Sequence, residues 1–509
     1  MNLPVKNIKP FTVATIVTIT FSAAGEQSIF AANPKQGKEQ SMNVLFLISD
    51  DMRAEMNVLG SPMAQTPNLD KLAKDGVCFE RAYCQYPLSC PSRSSILTGR
   101  RPTTSGLYTN REWFGATYPD WVSLPNYFRL HGYETLRSGK IFHGGIDDTE
   151  AWTEGGEQRI YNNPVNANPP SALTPEEWRI HFQRRMPNPS DVISNPRSDR
   201  WEAVEGEAAR QLGDTRVADK AIAYIRQSKK SGKTFFIACG FSKPHSPLIA
   251  PKEFFDLYDV NNIPLPPDFA SLPMVPIGFP AGSIRPTNAD LFINRIASPE
   301  EARQMIRAYL ACISYVDWNV GRVISELEKQ GLKENTIIVF WSDHGYQLGE
   351  KGKWSKAGSL WEQGTRVPFI IFDPRVKGNG QASSRIVELL DIYPTLVDLC
   401  GLPQPEGLEG TSLRPLLDNP LTVWDKPAYT VWNEHGKGLT GVVVRTEQWR
   451  YAEFFGAGAG AFLTDPVHDP HELVNLVYDP KYEEVVKHLH QLASNYVEGK
   501  TELPPIQLK

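Results

Sequence analysis

The chain has 509 residues, of which 41% are hydrophobic and 22% charged, and a formal net charge of -5. That length exceeds one typical domain and carries enough apolar residue for a large core. A small negative balance without a block of like charges excludes a nucleic-acid surface, so an anionic ligand has to be met by locally gathered cations.

Residues 1–32 read as a secretory signal: Lys6 and Lys9 precede the apolar run Phe11–Ala24, and small residues follow at Ala31 and Ala32. The run is too short to span a bilayer, and no later stretch would. The expectation is a secreted protein, in the bacterial periplasm, with no membrane attachment once the signal is removed. Asn43–Ser49 is a continuous apolar run, the mark of a strand buried on both faces, and it ends in Asp50-Asp51. Similar runs recur at Thr234–Gly240, Thr336–Ser342 and Pro368–Phe372, separated by helical segments. This alternation predicts an α/β domain over 33–420 built on a mainly parallel sheet flanked by helices.

Between these strands, residues 144–205 lose periodicity, with Trp178, Arg179, Arg184 and Arg185 as sugar or anion contacts. The clearest helix is Pro299–Gln330, opened by the capping box Ser298-Pro299-Glu300-Glu301 and closed by Gly331. A second helical pattern covers Val387–Leu399. From 421 to 509 the pattern changes to short strands (Ala428–Trp432, Gly441–Arg445, Trp449–Phe454) and a helix at Tyr482–Tyr496, a smaller C-terminal α+β subdomain. The six cysteines have no metal-site spacing. Cys239 and Cys312 read as buried and Cys90 as a small half-buried thiol, while Cys78 and Cys84 are the pair open to a disulfide.

In doubly wound sheets ligands sit beyond the carboxyl ends of the strands. Two strands here end in paired candidates for metal binding, Asp50-Asp51 and Asp343-His344. Converging carboxylates repel unless a cation joins them, and oxygen-rich ligation favours a hard ion, Ca2+ ahead of Mg2+. His344 is either a further ligand or a donor to a substrate oxygen. Cations follow the same strand or turn signals: Arg93, Lys140 with His143, Lys243 with His245, and Lys356. Fixed donors of this kind suit a tetrahedral oxyanion.

Ser89-Cys90-Pro91-Ser92-Arg93, with Leu97-Thr98-Gly99 following, resembles the signature of the sulfatase family. Asp50-Asp51, Gly139-Lys140 with His143, Lys243-Pro244-His245, Ser342-Asp343-His344-Gly345 and Lys356 occur in the family's order. Gly99-Arg100-Arg101-Pro102, Pro251-Lys252-Glu253-Phe254 and Leu348-Gly349-Glu350 look most like iduronate-2-sulfatase and bacterial uronate 2-O-sulfatases. The resemblance implies an alkaline-phosphatase-like fold and Ser89 oxidised to formylglycine (3-oxoalanine) by a maturing enzyme acting on the unfolded chain. It further implies a metal held by Asp50, Asp51, Ser89, Asp343 and His344. Arg93, Lys140, His143, His245 and Lys356 would be catalytic, and Lys243 and Tyr346 would bind substrate. The implied substrate is the uronate 2-O-sulfate of heparin, heparan, chondroitin or dermatan sulfate oligosaccharides. Ser89 stands where the animal enzymes have Cys, and Tyr346 where they have Trp. Two other readings use the same residues: a phosphomonoester or phosphonate hydrolase with an unmodified Ser89, and a glycan-binding protein without catalysis.

Overall fold

In the computed structural model, residues 41–165, 199–434 and 438–497 are described. The signal at 1–32 and the contacts expected of Trp178, Arg179, Arg184 and Arg185 lie outside them. The strands are β1 Asn43–Asp50, β2 Val77–Tyr83, β3 Glu134–Gly139, β4 Trp201–Val204, β5 Phe235–Pro244, β6 Leu248–Pro251 and β7 Thr336–Ser342. They continue as β8 Arg366–Val367, β9 Phe369–Phe372, β10 Gln381–Glu388, β11 Ala428–Asn433, β12 Leu439–Arg445, β13 Arg450–Phe454 and β14 Gly460–Thr464.

The main sheet runs β10-β2-β9-β7-β1-β5-β3, with β8 paired to β2. β1 is central because every residue in it is buried. Val44, Phe46 and Ile48 feed the core on one face, Leu45 and Leu47 the core on the other, as the two-residue period of a strand requires. Each such side chain contributes about 1.5–3 kcal/mol on burial. β1 pairs in parallel with β5 and β7, and β5 with β3. The run at Pro368–Phe372 does form a strand, but β9 runs antiparallel to both β7 and β2. The sheet is therefore mixed although mainly parallel.

The helix Pro299–Lys329 begins with the capping box, Ser298 and Glu301 each accepting the other's backbone N–H. The helical pattern at Val387–Leu399 divides instead: β10 reaches Glu388, and after a short turn the helix covers Ile392–Leu399. Pro394 is tolerated because a first-turn residue has no intrahelical donor duty. Antiparallel β11–β14 and the helix Glu483–Val497 form the C-terminal subdomain, whose core also takes in Tyr86, Leu360 and Trp361. All six cysteines are free. Cys78 lies within β2 and Cys84 just past its end, about 20 Å apart at strand rise, too far for a disulfide. No helix among the described residues is long and apolar enough to cross a membrane.

Candidate active site

The strand order puts four neighbouring carboxyl ends, of β7, β1, β5 and β3, side by side. Ser49 is in register with Ser342, Asp50 with Pro244, and Gly139 with Gly240. The residues that follow these ends, Asp343-His344, Asp51, His245 and Lys140, are thereby delivered to one edge. Gly139 is required there: its φ is 76, and a Cβ would sit 2.1 Å from the Gly240 carbonyl oxygen. Ser89 comes from below the same edge. The chain leaves β2 and turns into the helix Ser89–Thr98, which ends on Gly99 in the left-handed region. Pro91 is accommodated in its first turn.

Ser89 opens that helix with its hydroxyl 3.3 Å from Asp50 Oδ1 and 3.1 Å from His344 Nε2. Arg93, one turn on and fully buried, donates from Nε to Asp343 Oδ2 at 2.8 Å and from a terminal nitrogen to Asp50 Oδ1 at 3.1 Å. Its other terminal nitrogen donates to the carbonyls of Lys140 and Ile141. Lys140 Nζ meets Asp50 Oδ2 at 2.5 Å. Burial pushes the Asp50 carboxyl up, but Lys140 and Arg93 prevail and hold it well below the usual carboxylate range.

Asp51 has the opposite surroundings. Its φ is 65, a strained conformation outside glycine, and the Tyr309 hydroxyl clamps its carbonyl at 2.6 Å. Lys356 meets Oδ2 at 2.8 Å, whereas buried Oδ1 has no hydrogen-bond partner among the described residues. Burial, with Asp50, Asp290 and Asp343 nearby, drives the Asp51 carboxyl well above its ordinary range despite Lys356. Asp51, Asp343 and His344 each offer a ligand atom within 4.8 Å of the others, and all three are buried. His344 Nε2 is 3.4 Å from Asp51 Oδ1 and 3.6 Å from Asp343 Oδ2, and Nδ1 lies 3.0 Å from the Gly345 carbonyl. An orphaned buried carboxylate oxygen among acidic neighbours fits a hard divalent cation.

The loop carrying these ligands admits only glycine at position 345, where a Cβ would lie 2.0 Å from the Gln363 carbonyl oxygen. Gly345 N–H donates to Gly364 and Tyr346 N–H to Gln363. His245 Nε2 stands 3.9 Å from Asp51 Oδ2, with Nδ1 at 2.6 Å from the Ser246 carbonyl. Burial and the Lys356 and Lys140 ammoniums hold His245 well below its usual pKa.

The structure thus brings together Asp50, Asp51, Ser89, Arg93, Lys140, His245, Asp343, His344 and Lys356. His143 is half-buried in the same loop as Lys140. Lys243 turns its ammonium to the carbonyls of His245 and Pro247, at 2.8 and 2.6 Å, and so shapes the His245 loop. Tyr346 is buried, with its hydroxyl donating to the Trp354 carbonyl at 3.1 Å. Cys90 is fully buried, its thiol pushed up to about 12 by desolvation. Asp290, which no motif marks, joins the site through a 3.1 Å contact with Lys356.

The sulfatase family model matches residues 42–402, and the model for the C-terminal part of N-sulphoglucosamine sulphohydrolase matches 349–498. The chain belongs to the sulfatase family. Iduronate 2-sulfatase of Mus musculus is 30% identical over 500 residues, covering 84% of this chain and 87% of the relative. The solved phosphonate monoester hydrolase of Agrobacterium radiobacter superposes with a TM-score of 0.68 at 22% identity, over 90% of this chain and 96% of that one. BT1596, a 2-O GAG sulfatase, gives 0.63 at 21%, over 91% and 93%.

Proposed function

We propose that this protein hydrolyses 2-O-sulfate esters of uronic acid residues in glycosaminoglycan oligosaccharides, with Ser89 converted to formylglycine. The observation that carries the reading is the Ser89 hydroxyl at a helix N-terminus, within 3.3 Å of Asp50 and His344, with Arg93 and Lys140 paired to Asp50 and Lys356 to Asp51. The kinship to an iduronate 2-sulfatase supports the uronate.

Asp51, Asp343 and His344, with Asp50 and residue 89 beside them, would hold Ca2+. When bound, it would lower the pKa of the nucleophile and polarise sulfate oxygens. A hydrated aldehyde at residue 89 would offer two hydroxyls on one carbon, one to take the sulfuryl group and one whose proton loss would expel sulfate and restore the aldehyde. Arg93 and Lys140 steady the charge on residue 89 and Asp50. Lys356 and His245 receive the sulfate oxygens, and the imidazolium of His245, formed against the depression by burial and Lys356 once the anionic ester is bound, passes its proton to the departing sugar alcohol. His143 is the base for the proton lost from residue 89. Lys243 fixes the His245 loop, and Tyr346 closes the substrate side. Export to the periplasm and conversion by a maturing enzyme before folding complete the reading.

The test is ion chromatography of sulfate released from defined uronate 2-O-sulfated disaccharides, with mass analysis of the peptide containing residue 89. Sulfate release, and a peptide lighter by about two hydrogens, are expected. Full activity with an intact Ser89 would refute the conversion. Turnover of aryl phosphates in place of sulfates would put the phosphohydrolase reading in its stead.

A further inference from the structure

Asp290 lies in an irregular segment, yet its position beside Lys356 is built in. Lys353 Nζ donates to the carbonyls of Arg285 and Thr287, at 3.3 and 2.5 Å. Trp354 N–H donates to Asn288 Oδ1 at 2.9 Å, and Leu291 N–H to the Trp354 carbonyl at 3.3 Å. These bonds lace 285–291 to 353–354, two residues short of Lys356, whose ammonium then bridges Asp290 at 3.1 Å and Asp51 at 2.8 Å. The second oxygen of Asp290 is buried without a hydrogen-bond partner among the described residues. A further carboxylate beside Asp50, Asp51 and Asp343 raises the electrostatic energy of the fold. A packing role would be served as well by a neutral residue, so the charge itself calls for a reason.

Charge counting supplies one. Counted with every carboxylate ionised, as a bound divalent cation would hold them, this contact network sets Asp50, Asp51, Asp290 and Asp343 against Arg93, Lys140 and Lys356, which leaves one net negative charge on the side chains. A bound divalent cation turns that into one net positive charge, and without Asp290 it would be two. Oxidation of Ser89 to an aldehyde changes nothing in this count. A sulfate monoester carries one negative charge, whereas a phosphate monoester of the same shape carries two above neutral pH. We infer that Asp290 is a specificity-determining residue that matches the site to a singly charged sulfate ester and disfavours the doubly charged phosphate ester. The inference rests on the sulfate-ester chemistry of this site and is indifferent to which sugar bears the ester.

Calorimetric binding of benzylsulfonate and benzylphosphonate to the Ca2+-loaded protein at pH 8 tests it without turnover. Asp290→Asn should raise phosphonate affinity relative to sulfonate about tenfold, as expected for one removed charge near a doubly charged ligand. Asp290→Glu, which keeps the charge, should return the ratio to the wild-type value. Parallel changes in both affinities, or none, overturn the inference. Should Asp290→Asn not fold, Asp290→Ser takes its place. The pH offers an independent check: raising it until the phosphonate gains its second charge should strengthen phosphonate against sulfonate less in wild type than in Asp290→Asn, and an equal gain in both would overturn the inference. Wild-type protein that cleaves aryl phosphate and not aryl sulfate would instead sink the sulfatase reading, whatever the variants do.

Discussion

Two buried charge clusters face each other across the segment 360–365, and they are satisfied to different degrees. In the one between the C-terminal sheet and the main domain, Arg450 donates to the Leu360 carbonyl, to Glu362 at 2.5 Å and to Thr365, and lies 3.1 Å from Glu472. Glu472 in turn accepts from the Glu362 N–H and the Thr464 hydroxyl. Burial pushes the Glu362 carboxyl up, but Arg445 and Arg450 hold it at about 2. Around Ser89 the acids outnumber the cations, Asp51 keeps an orphaned oxygen, and its backbone is strained. Each cluster keeps a buried atom without a hydrogen-bond partner among the described residues, Arg450 Nε and Asp51 Oδ1, so the difference is one of charge: matched pairs close a network, while a surplus of acid marks where a cation completes the set. The two are joined mechanically, since Gln363 and Gly364 carry the backbone bonds that hold Tyr346 and Gly345.

The largest expected effect lies in the unsatisfied cluster. Ser89→Ala should lower sulfate-ester turnover by about 10^5-fold or more, as loss of a nucleophile does. Its melting temperature should stay within about 2 °C, because only an oxygen is lost. Retained turnover in a steady-state assay would remove Ser89 from the chemistry. The closed cluster should answer in the reverse sense. Arg450→Met strands Glu472 and leaves Glu362 with Arg445 as its ion-pair partner, and breaking a buried pair costs about 3–5 kcal/mol. Urea unfolding reads this directly, and a loss below about 1 kcal/mol would show that the network is not a stabilising element.

A third buried carboxylate sharpens the contrast because it has donors but no cation in contact among the described residues. Asp317 accepts from Leu69 N–H at 2.7 Å, from Asn68 N–H at 3.2 Å and from the Asn68 side chain at 2.7 Å. Burial outweighs these bonds and raises it from 3.8 to about 6. A folded pKa above the unfolded one means that the native state holds the proton more tightly. This contribution to stability is full below about pH 4 and is lost as the pH rises through about 6. Asn does not titrate, so the melting temperature of Asp317→Asn relative to wild type should climb between pH 5 and 7.5, equivalent to about 1–3 kcal/mol. A flat difference across that range would contradict it.

These clusters were unequally legible in the sequence. β1 and β7 announce themselves as unbroken apolar runs, and the helix Pro299–Lys329 by its capping box. β2, β3 and β10 do not, because Glu80-Arg81, Glu134 with Arg137, and Ser383-Ser384-Arg385 interrupt the apolar run in strands that are only partly buried. The direction of β9 is invisible in composition, since a short buried strand looks the same either way. Ser89, Arg93, Asp343 and Lys356 were marked by a motif. Asp290 has no motif, and its partner lies 66 residues along the chain, so only the folded loop reveals it. Arg450 is hidden for the same reason, its partners Leu360, Glu362 and Thr365 lying 85 to 90 residues earlier in the chain.

The smallest expected effect decides whether the catalytic cluster is destabilised by its own charges. In metal-free protein Asp51 is pressed by burial and by Asp50, Asp290 and Asp343, and its raised carboxyl pKa means that ionising it near neutral pH works against the fold. Asp51→Asn keeps the shape and removes that repulsion. After chelation at pH 7 the variant should melt about 1–2 °C above wild type. Added Ca2+ should raise the wild type and leave the variant nearly unmoved, since a ligand that binds only the native state stabilises in proportion to its affinity. The order of melting temperatures should therefore invert on adding the ion. If the chelated variant melts below wild type, the Lys356 contact outweighs the repulsion, and the cluster around Ser89 is as closed as the one around Arg450.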